Sequence, residues 1–381
     1  MGFAAPAVVQ AEPLTLERLL YVLEEDSSWN AYWESQVLYQ RAVADTTNIV
    51  PAPRFMTNMR SIADFEVEQS YGISQAVPLN TTRVLRKKAE LTRVSVVEEE
   101  IEQQKNDRMA EAMRYFFRIL WYQERSRVLR SFQSQQERIE SIVESRSSLG
   151  EDSLMDKERQ HQRKKQIEMQ IQRDSVAMVS WNAQLVALIG QGSPIEVSGE
   201  LPPKQCDVDG DSPKLRAVDK EIETLEIERQ LASQTWLPLL SVQGGWVEVE
   251  TENQSTQGWS ATLGLSFPAL QAPKKRQKSA EVAEKKAERV LLERKLDAIS
   301  RSSQMQCQQY LQLAAEAEER AKQTQKLVEQ AEAGYMAGYL SLEDWVEMQA
   351  AWQSDLLAVL DLRHAARETQ IQLVALFGES K

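Results

Sequence analysis

Two histidines, two cysteines and one acidic loop are the residues of this 381-residue chain with the means for metal chemistry. A zinc site gathers three or four imidazole or thiolate ligands at short, recurring spacings. His161, His364, Cys206 and Cys307 lie far apart and share no such spacing. Asp207-Val208-Asp209-Gly210-Asp211 has the composition of a calcium loop, but its glycine is misplaced and Val218 stands where the bidentate glutamate would be. The basic runs Arg83-Val84-Leu85-Arg86-Lys87-Lys88 and Lys274-Lys275-Arg276-Gln277-Lys278 could meet phosphates, yet 45 basic against 57 acidic residues give a net charge of -12. An anionic chain repels nucleic acid unless it segregates a basic face. Neither catalysis, nor a cofactor, nor a nucleic-acid partner is therefore expected, and any function must lie in the elements themselves.

Those elements are long. Only 14 Gly and 12 Pro interrupt the chain, fewer than average usage. The hydrophobic share is 42% and the charged share 27%, and no apolar run reaches the length of a membrane helix. Residues 1–11, MGFAAPAVVQA, end in the small-residue pattern Val9-Gln10-Ala11 and predict a signal-peptide remnant, with an apolar tail as the other reading.

The chain repeats once. Gln184-Leu185-Val186-Ala187-Leu188-Ile189-Gly190 recurs as Gln372-Leu373-Val374-Ala375-Leu376-Phe377-Gly378. The same offset superposes Gly150 on Gly338, Ser153-Leu154 on Ser341-Leu342 and Asp156 on Asp344. Further upstream the register drifts, but Gly72-Ile73-Ser74 with Pro78 answers to Gly264-Leu265-Ser266 with Pro268. The first repeat is set at 12–190 and the second at 213–381, joined by a Pro/Gly-dense linker over 191–212.

Each repeat has a helical and an extended texture. Segments 83–148 and 274–336 lack proline, are rich in Glu, Lys, Gln, Arg, Ala and Leu, and carry apolar residues at helical spacing. Gly150 and Gly338 break them, and return helices run to Gly190 and Gly378. Shorter helices are expected over 14–44 and 212–235. The extended texture is clearest at Trp259, Ala261, Leu263, Leu265 and Phe267, which alternate with Ser260, Thr262, Gly264 and Ser266. Phe65, Val67, Tyr71, Ile73, Val77 and Leu79 do the same in the first repeat. Partner strands are expected over 53–63 and 239–252, the latter on Val247 and Val249 between glutamates, with Asn253 to Gly258 as a connecting loop. An apolar face, a polar face and an aromatic near the strand end match membrane-barrel strands. Four strands cannot close a barrel, so copies must share one, and three copies would supply twelve strands.

Several segments together resemble the TolC-type outer-membrane efflux proteins, over nearly the whole chain. Leu14-Thr15-Leu16-Glu17-Arg18-Leu19-Leu20 is similar to the family's opening LTLEEAL. Ser212-Pro213-Lys214-Leu215-Arg216-Ala217, followed by Trp236-Leu237-Pro238-Leu239-Leu240-Ser241-Val242, resembles its mid-chain NPELRA and LPSLSL. Gly72 to Arg86 and Gly264 to Arg276 resemble its GLSLSQPLFDGGRR without the Gly-Gly, and Gly72-Ile73-Ser74-Gln75 is closest to the heavy-metal-exporting subgroup. The resemblance implies a mainly α fold with a small β part: long antiparallel helices forming an α-barrel in the periplasm, plus four membrane β-strands per protomer in a trimeric outer-membrane β-barrel. It implies an exit duct, working as a homotrimer with outer-membrane lipid around it, a periplasmic adaptor (membrane fusion) protein and an inner-membrane pump or ABC exporter. The rival expectation is a soluble periplasmic coiled-coil scaffold.

By the same resemblance, Gly150, Ser153, Leu154, Gly338, Ser341 and Leu342 would meet the adaptor at the hairpin tips, and Asp156 and Asp344 would form acidic rings. Trp259, Ala261, Leu263, Leu265, Phe267, Tyr71 and Ile73 would face lipid. Cys307 lies about 46 Å above the Gly338 tip, and the linker bearing Cys206 leaves its helix about 60 Å above the other tip. A disulfide between them and two free thiols both fit.

Overall fold

The computed structural model describes residues 13–47, 52–63, 66–78, 82–148, 154–190, 195–203, 205–207, 210–234, 239–251, 254–266 and 272–378. The leader call on residues 1–11 lies outside them. The described chain forms two compact units, one from 13–28, 103–212 and 295–378, the other from 29–102 and 213–294.

In the first unit, chain order gives α1 (Leu16–Glu24), then most of α3 (Thr82–Ser148), α4 (Leu154–Ile189), most of α6 (Ala272–Met336) and α7 (Leu342–Phe377). Helices α3 and α6 have 67 and 65 residues, about 100 Å each, because nothing between their ends breaks the hydrogen-bond ladder. Pro273 occupies the start of α6, where its missing N–H is harmless. Helices α4 and α7 are both 36 residues long, and α7 begins and ends one repeat offset after α4.

The helix expected over 14–44 is instead two. Helix α1 stops at Glu24 and α2 (Ser27–Thr46) starts anew. Asp26 makes the break: its carboxylate accepts the Ser28 backbone N–H at 3.0 Å and pairs with buried Arg108 at 2.5 Å. A side chain that captures nearby N–H groups competes with helix continuation.

The core of this unit is built on Met113, Phe116, Phe117, Ile119 and Leu120 of α3. They pack against Leu19 and Leu23 of α1, Leu185 of α4 and Ile371 and Leu373 of α7. The segment 195–203, expected as a loose linker, is tied down. The Leu14 N–H donates to Glu196 O at 2.7 Å and the Ser198 N–H to Leu14 O at 3.0 Å, while the Asn182 side chain brackets Ile195. Arg367, nine-tenths buried, donates to the carbonyls of Leu201, Pro202 and Glu200 at 3.1, 2.6 and 3.3 Å, with its guanidinium 4.1 Å over the Phe117 ring. Burial holds its pKa down at about 10, still charged at neutral pH. Cys206 and Cys307 form a disulfide, Cα–Cα 5.8 Å, buried beside Ala366.

The second unit holds α2, α5 (Pro213–Gln234), the first parts of α3 and α6, and four strands: β1 (Arg54–Ala63), β2 (Glu66–Pro78), β3 (Leu239–Thr251) and β4 (Gln254–Ser266). They form one antiparallel sheet in the order β1-β2-β3-β4. Cross-helix ion pairs lace α5 to its neighbours, including Arg216–Glu99 at 2.7 Å, Arg289–Asp219 at 2.7 Å and Lys285–Glu221 at 2.5 Å. The loop expected over 253–258 is largely strand, since β4 begins at Gln254. Thr256 and Gly258 pair with Val249 and Val247, so the hairpin ladder continues through a polar stretch that lacks apolar alternation.

His364 of α7 is buried against Trp121 of α3, ring centroids 5.2 Å apart and nearly parallel. Neither ring nitrogen hydrogen-bonds a described residue. The Glu368 carboxylate, 3.5 Å from Nε2, is engaged by Arg118 at 2.9 Å and Arg114 at 3.5 Å. Burial first, and the Arg118 charge second, push His364 down to about 4. The unfolded chain therefore binds a proton at His364 that the folded chain refuses between about pH 6.5 and 4, so stability is lost as pH falls through that window. In urea unfolding of the full chain, wild type should lose up to about 1.4 kcal/mol per pH unit there relative to His364→Phe, which retains the stacking. Parallel pH profiles for the two proteins would refute the assignment.

Candidate membrane-facing sheet and helical-hairpin tip

Antiparallel pairing places directly opposed residues on the same face, so register decides which side chains share a surface. One row reads Thr57, Tyr71, Trp246, Trp259; the next reads Phe55, Ile73, Gly244, Ala261. Gln75, Val242 and Leu263 follow on the same face. Tyr71, Ile73, Trp259, Ala261 and Leu263, from two repeats, are thus brought onto one surface. Leu265 pairs with Leu240 in the backbone ladder, and Phe267 lies outside the described residues. Within one chain this surface is bare: Trp259 is 83% exposed, Leu263 74%, Phe55 71% and Ile73 57%.

The aromatics do not sit at the strand ends. Tyr71, Trp246 and Trp259 form a row near the middle, with Trp246 and Trp259 edge to face at 5.1 Å. Beyond that row the surface turns polar, where Glu248 accepts from Gln257 at 2.7 Å and Ser255 at 3.2 Å. The apolar band runs the other way, through Ala261 to Leu263, four residues and about 13 Å beyond Trp259. Val247 and Val249, expected to mark an apolar face, fall on the opposite one with Glu68, Ser70 and Gly258. The row containing Trp246 sets the apolar face, and the glutamates after it continue that face.

Behind the apolar band the opposite face is mostly small and polar. Met56, Gly72, Gly245 and Ser260 form one row, Ser74, Gln243 and Thr262 another. A Cβ built on Gly245 would lie 2.4 Å from Tyr71 O and 2.9 Å from the Gly72 Cα, so only glycine allows this backbone approach. Lacking bulk on one side, the sheet can curl with that side concave. Among the described residues β1 pairs only with β2 and β4 only with β3, leaving two strand edges without ladder partners.

At the α6–α7 tip, Gly338 has φ 79° and donates to Tyr335 O at 3.0 Å, while the Tyr339 N–H reaches back to Gly334 O at 2.8 Å. This left-handed turn is open to glycine with little strain. Ser341 is the N-cap of α7 and closes a capping box. Its Oγ accepts the Asp344 N–H at 3.2 Å, and its own N–H donates to the Asp344 carboxylate at 3.1 Å. The Ser341 hydroxyl, donating to the same carboxylate at 2.6 Å, and second the backbone N–H hold the Asp344 carboxyl below its usual value. Leu342, expected at a partner contact, is instead a core residue, buried with Tyr335, Trp345 and Val346 between α6, α7 and α3. Tyr339 and Leu340 are the exposed apolar side chains at this turn, and Tyr339 was missed because one aromatic beside a glycine carries no pattern.

Gly150 and Ser153 lie outside the described residues, and Leu154 opens α4. Asp156 stands in the first turn of α4 with Arg159 at 3.7 Å. No group of His, Cys, Asp and Glu able to hold a metal occurs among the described residues, and none of their helices is long and apolar enough to cross a membrane.

No protein-family model matches the chain, and no curated protein matches it in sequence. Solved structures do match in three dimensions. CusC, studied for conformational changes accompanying folding and transmembrane channel formation, is 13% identical, with 95% of this chain and 92% of that chain covered at TM-score 0.77. The outer-membrane channel OprN is 13% identical over 96% and 90% at TM-score 0.78. The outer membrane protein VceC of Vibrio cholerae is 10% identical over 96% of both chains at TM-score 0.74. At such identities the likeness is one of fold: this chain has the fold of these outer-membrane channel proteins, long helices with a four-stranded antiparallel sheet.

The glycine contacts give a paired test of the sheet. Gly245→Ala should block the approach of β3 to β2 and abolish folding into detergent micelles, followed by tryptophan fluorescence. Gly258→Ala, where an added Cβ meets nothing within 4 Å, should fold as wild type does. Equal folding of both would refute the close-approach account.

Proposed function

We propose that this protein is the outer-membrane exit duct of a tripartite efflux or secretion system, a passive conduit formed by three copies. One observation carries the reading. A sheet with a bare apolar face, a small polar face and two unpartnered edges is suited to a barrel wall with lipid outside and water inside. Four strands are too few to close, and β1 of one copy can extend the ladder of β4 in the next until three copies complete twelve strands. Tyr71, Ile73, Trp259, Ala261 and Leu263 are then lipid-facing. The helices lie on the periplasmic side of the outer membrane. A soluble scaffold would leave this apolar surface in water without a purpose.

The hairpin turns are the natural docking points for a periplasmic adaptor and, with it, an inner-membrane pump or ABC exporter. Gly338, with Tyr339 and Leu340 beside it and Ser341 at the helix start, offers the surface, and the counterpart turn offers Gly150, Ser153 and Leu154. Leu342 supports the turn from the core. Asp156 and Asp344 are each repeated threefold in a trimer as acidic rings that concentrate cations. The Ser341 hydrogen bonds favour the ionised form of Asp344. No catalytic step is assigned.

Single-cysteine variants of a protein lacking both native cysteines, labelled at Leu263 and at Ser260 and inserted into vesicles, test the carrying observation. The Leu263 label should be quenched by lipid-borne quenchers and shielded from aqueous ones, with the Ser260 label behaving oppositely. Planar bilayers should show conductance in trimer-sized steps. Water at both positions, or lipid at both, would overturn the duct.

A further inference from the structure

The two basic runs, one from each repeat, converge on one place in the second unit. Arg86 stands eight residues beyond Pro78 at the end of β2, and Lys274 eight residues beyond Ser266 at the end of β4. Both line one open cleft of about 570 Å³, together with Arg93 and Lys278 farther along the same two helices. Ala89 and Leu231 contribute an apolar wall, and Glu90 and Glu228 supply carboxylates.

The charges in the cleft do not cancel. Arg93 is bound by Glu90 at 2.5 Å and by Glu228; Lys278 is bound by Glu228 at 2.9 Å and by Glu281 at 2.5 Å. Those pairs consume the lining carboxylates. Arg86 and Lys274 are exposed and make no ion pair with a described residue. Lys274, in the first turn of α6, also stands where helix physics disfavours it, since a cation near a helix N-terminus opposes the macrodipole. Neither α3 nor α6 carries an acidic residue in its first turn. Two leftover cations beside an apolar wall suit an anion with an apolar continuation.

We propose that this cleft binds the phosphate of an anionic phospholipid headgroup, Arg86 and Lys274 contacting the phosphate and Ala89 and Leu231 the glycerol and first methylenes. The proposal rests on the duct reading, because it needs the strand ends to lie at the membrane surface. A cleft eight residues from two strand ends then sits at headgroup level, where each basic side chain attracts anionic lipid.

The full chain in vesicles of equimolar phosphatidylglycerol and phosphatidylcholine, extracted and weighed by native mass spectrometry, tests it. Wild type should retain phosphatidylglycerol preferentially. Arg86→Gln and Lys274→Gln should each lower that preference about fivefold, and the double variant more. Lys326→Gln, an exposed cation elsewhere on α6, should leave it unchanged. A double variant that inserts and conducts yet retains phosphatidylglycerol as wild type does would overturn the headgroup site and leave the duct standing. A wild-type chain that inserts into neither lipid would overturn the duct and the headgroup site with it. Displacement of the lipid by millimolar inorganic phosphate would overturn the lipid assignment, marking a site for phosphate from any source.

Discussion

Backbone hydrogen bonding at the two sheet edges is the constraint that shapes this molecule. Each residue of β1 and β4 that points its N–H and C=O away from its single neighbour needs a partner, and in hydrocarbon an unpaired group costs several kcal/mol. A soluble protein would cap such an edge with charge, proline or a covering element. Here β4 carries Trp259, Ala261 and Leu263 instead. The β4 edge is thus left without a blunting charge, the feature on which the proposed joining of copies rests, whereas β1 carries Arg54 and Arg60. In the proposed barrel, the number of copies would be a matter of curvature, set by the glycine and serine rows that let the sheet bend.

The first unit solves a different problem. Helices as long as α3 and α6 bury little per turn, and pairs along them slide easily when contacts are alike. Register is fixed where the pattern is irregular: the phenylalanine cluster around Phe116, the Tyr335–Trp345 stack near the tip, and the strap over 195–203. Arg367 is central to that strap. Burying a guanidinium is costly, and three carbonyls with an aromatic face offset much of that cost only while the strap stays in place. The disulfide adds a covalent tie between the strap and α6, constraining the unfolded chain over a separation of 101 residues.

Much of this was legible in the sequence, and what was not has physical causes. The long helices could be read because proline is absent and glycine stands at the turns, so their ends came within two residues. The strands around Trp259 to Leu265 could be read because period two is visible when one face is apolar and the other is not. The helix break at Asp26 was hidden because it depends on Arg108, more than eighty residues away. The hairpin end was misread because Gln254 to Gly258 is polar on both faces, and such a stretch has the composition of a loop. Leu342 was misassigned because equality between repeats marks a constraint without saying whether it is packing or contact. Arg367 carried no sequence signal, since a buried arginine looks like any other on a helix.

Near 13% identity with preserved fold is what the proposed conduit would allow. An enzyme fixes particular atoms at particular places, whereas a wall between two solvents fixes only periodicities: two in the strand, near 3.6 in the helix, glycine where the chain must turn. Many sequences meet those demands, so pairwise identity decays while geometry persists. The positions that remain informative are those that break a local rule. Cations at the starts of α3 and α6, an arginine buried against carbonyls and an uncharged histidine under Trp121 each carry a cost that the repeating pattern does not require. Such costs persist where something specific to this chain offsets them, which makes those positions better guides to its individual behaviour than the pattern it shares.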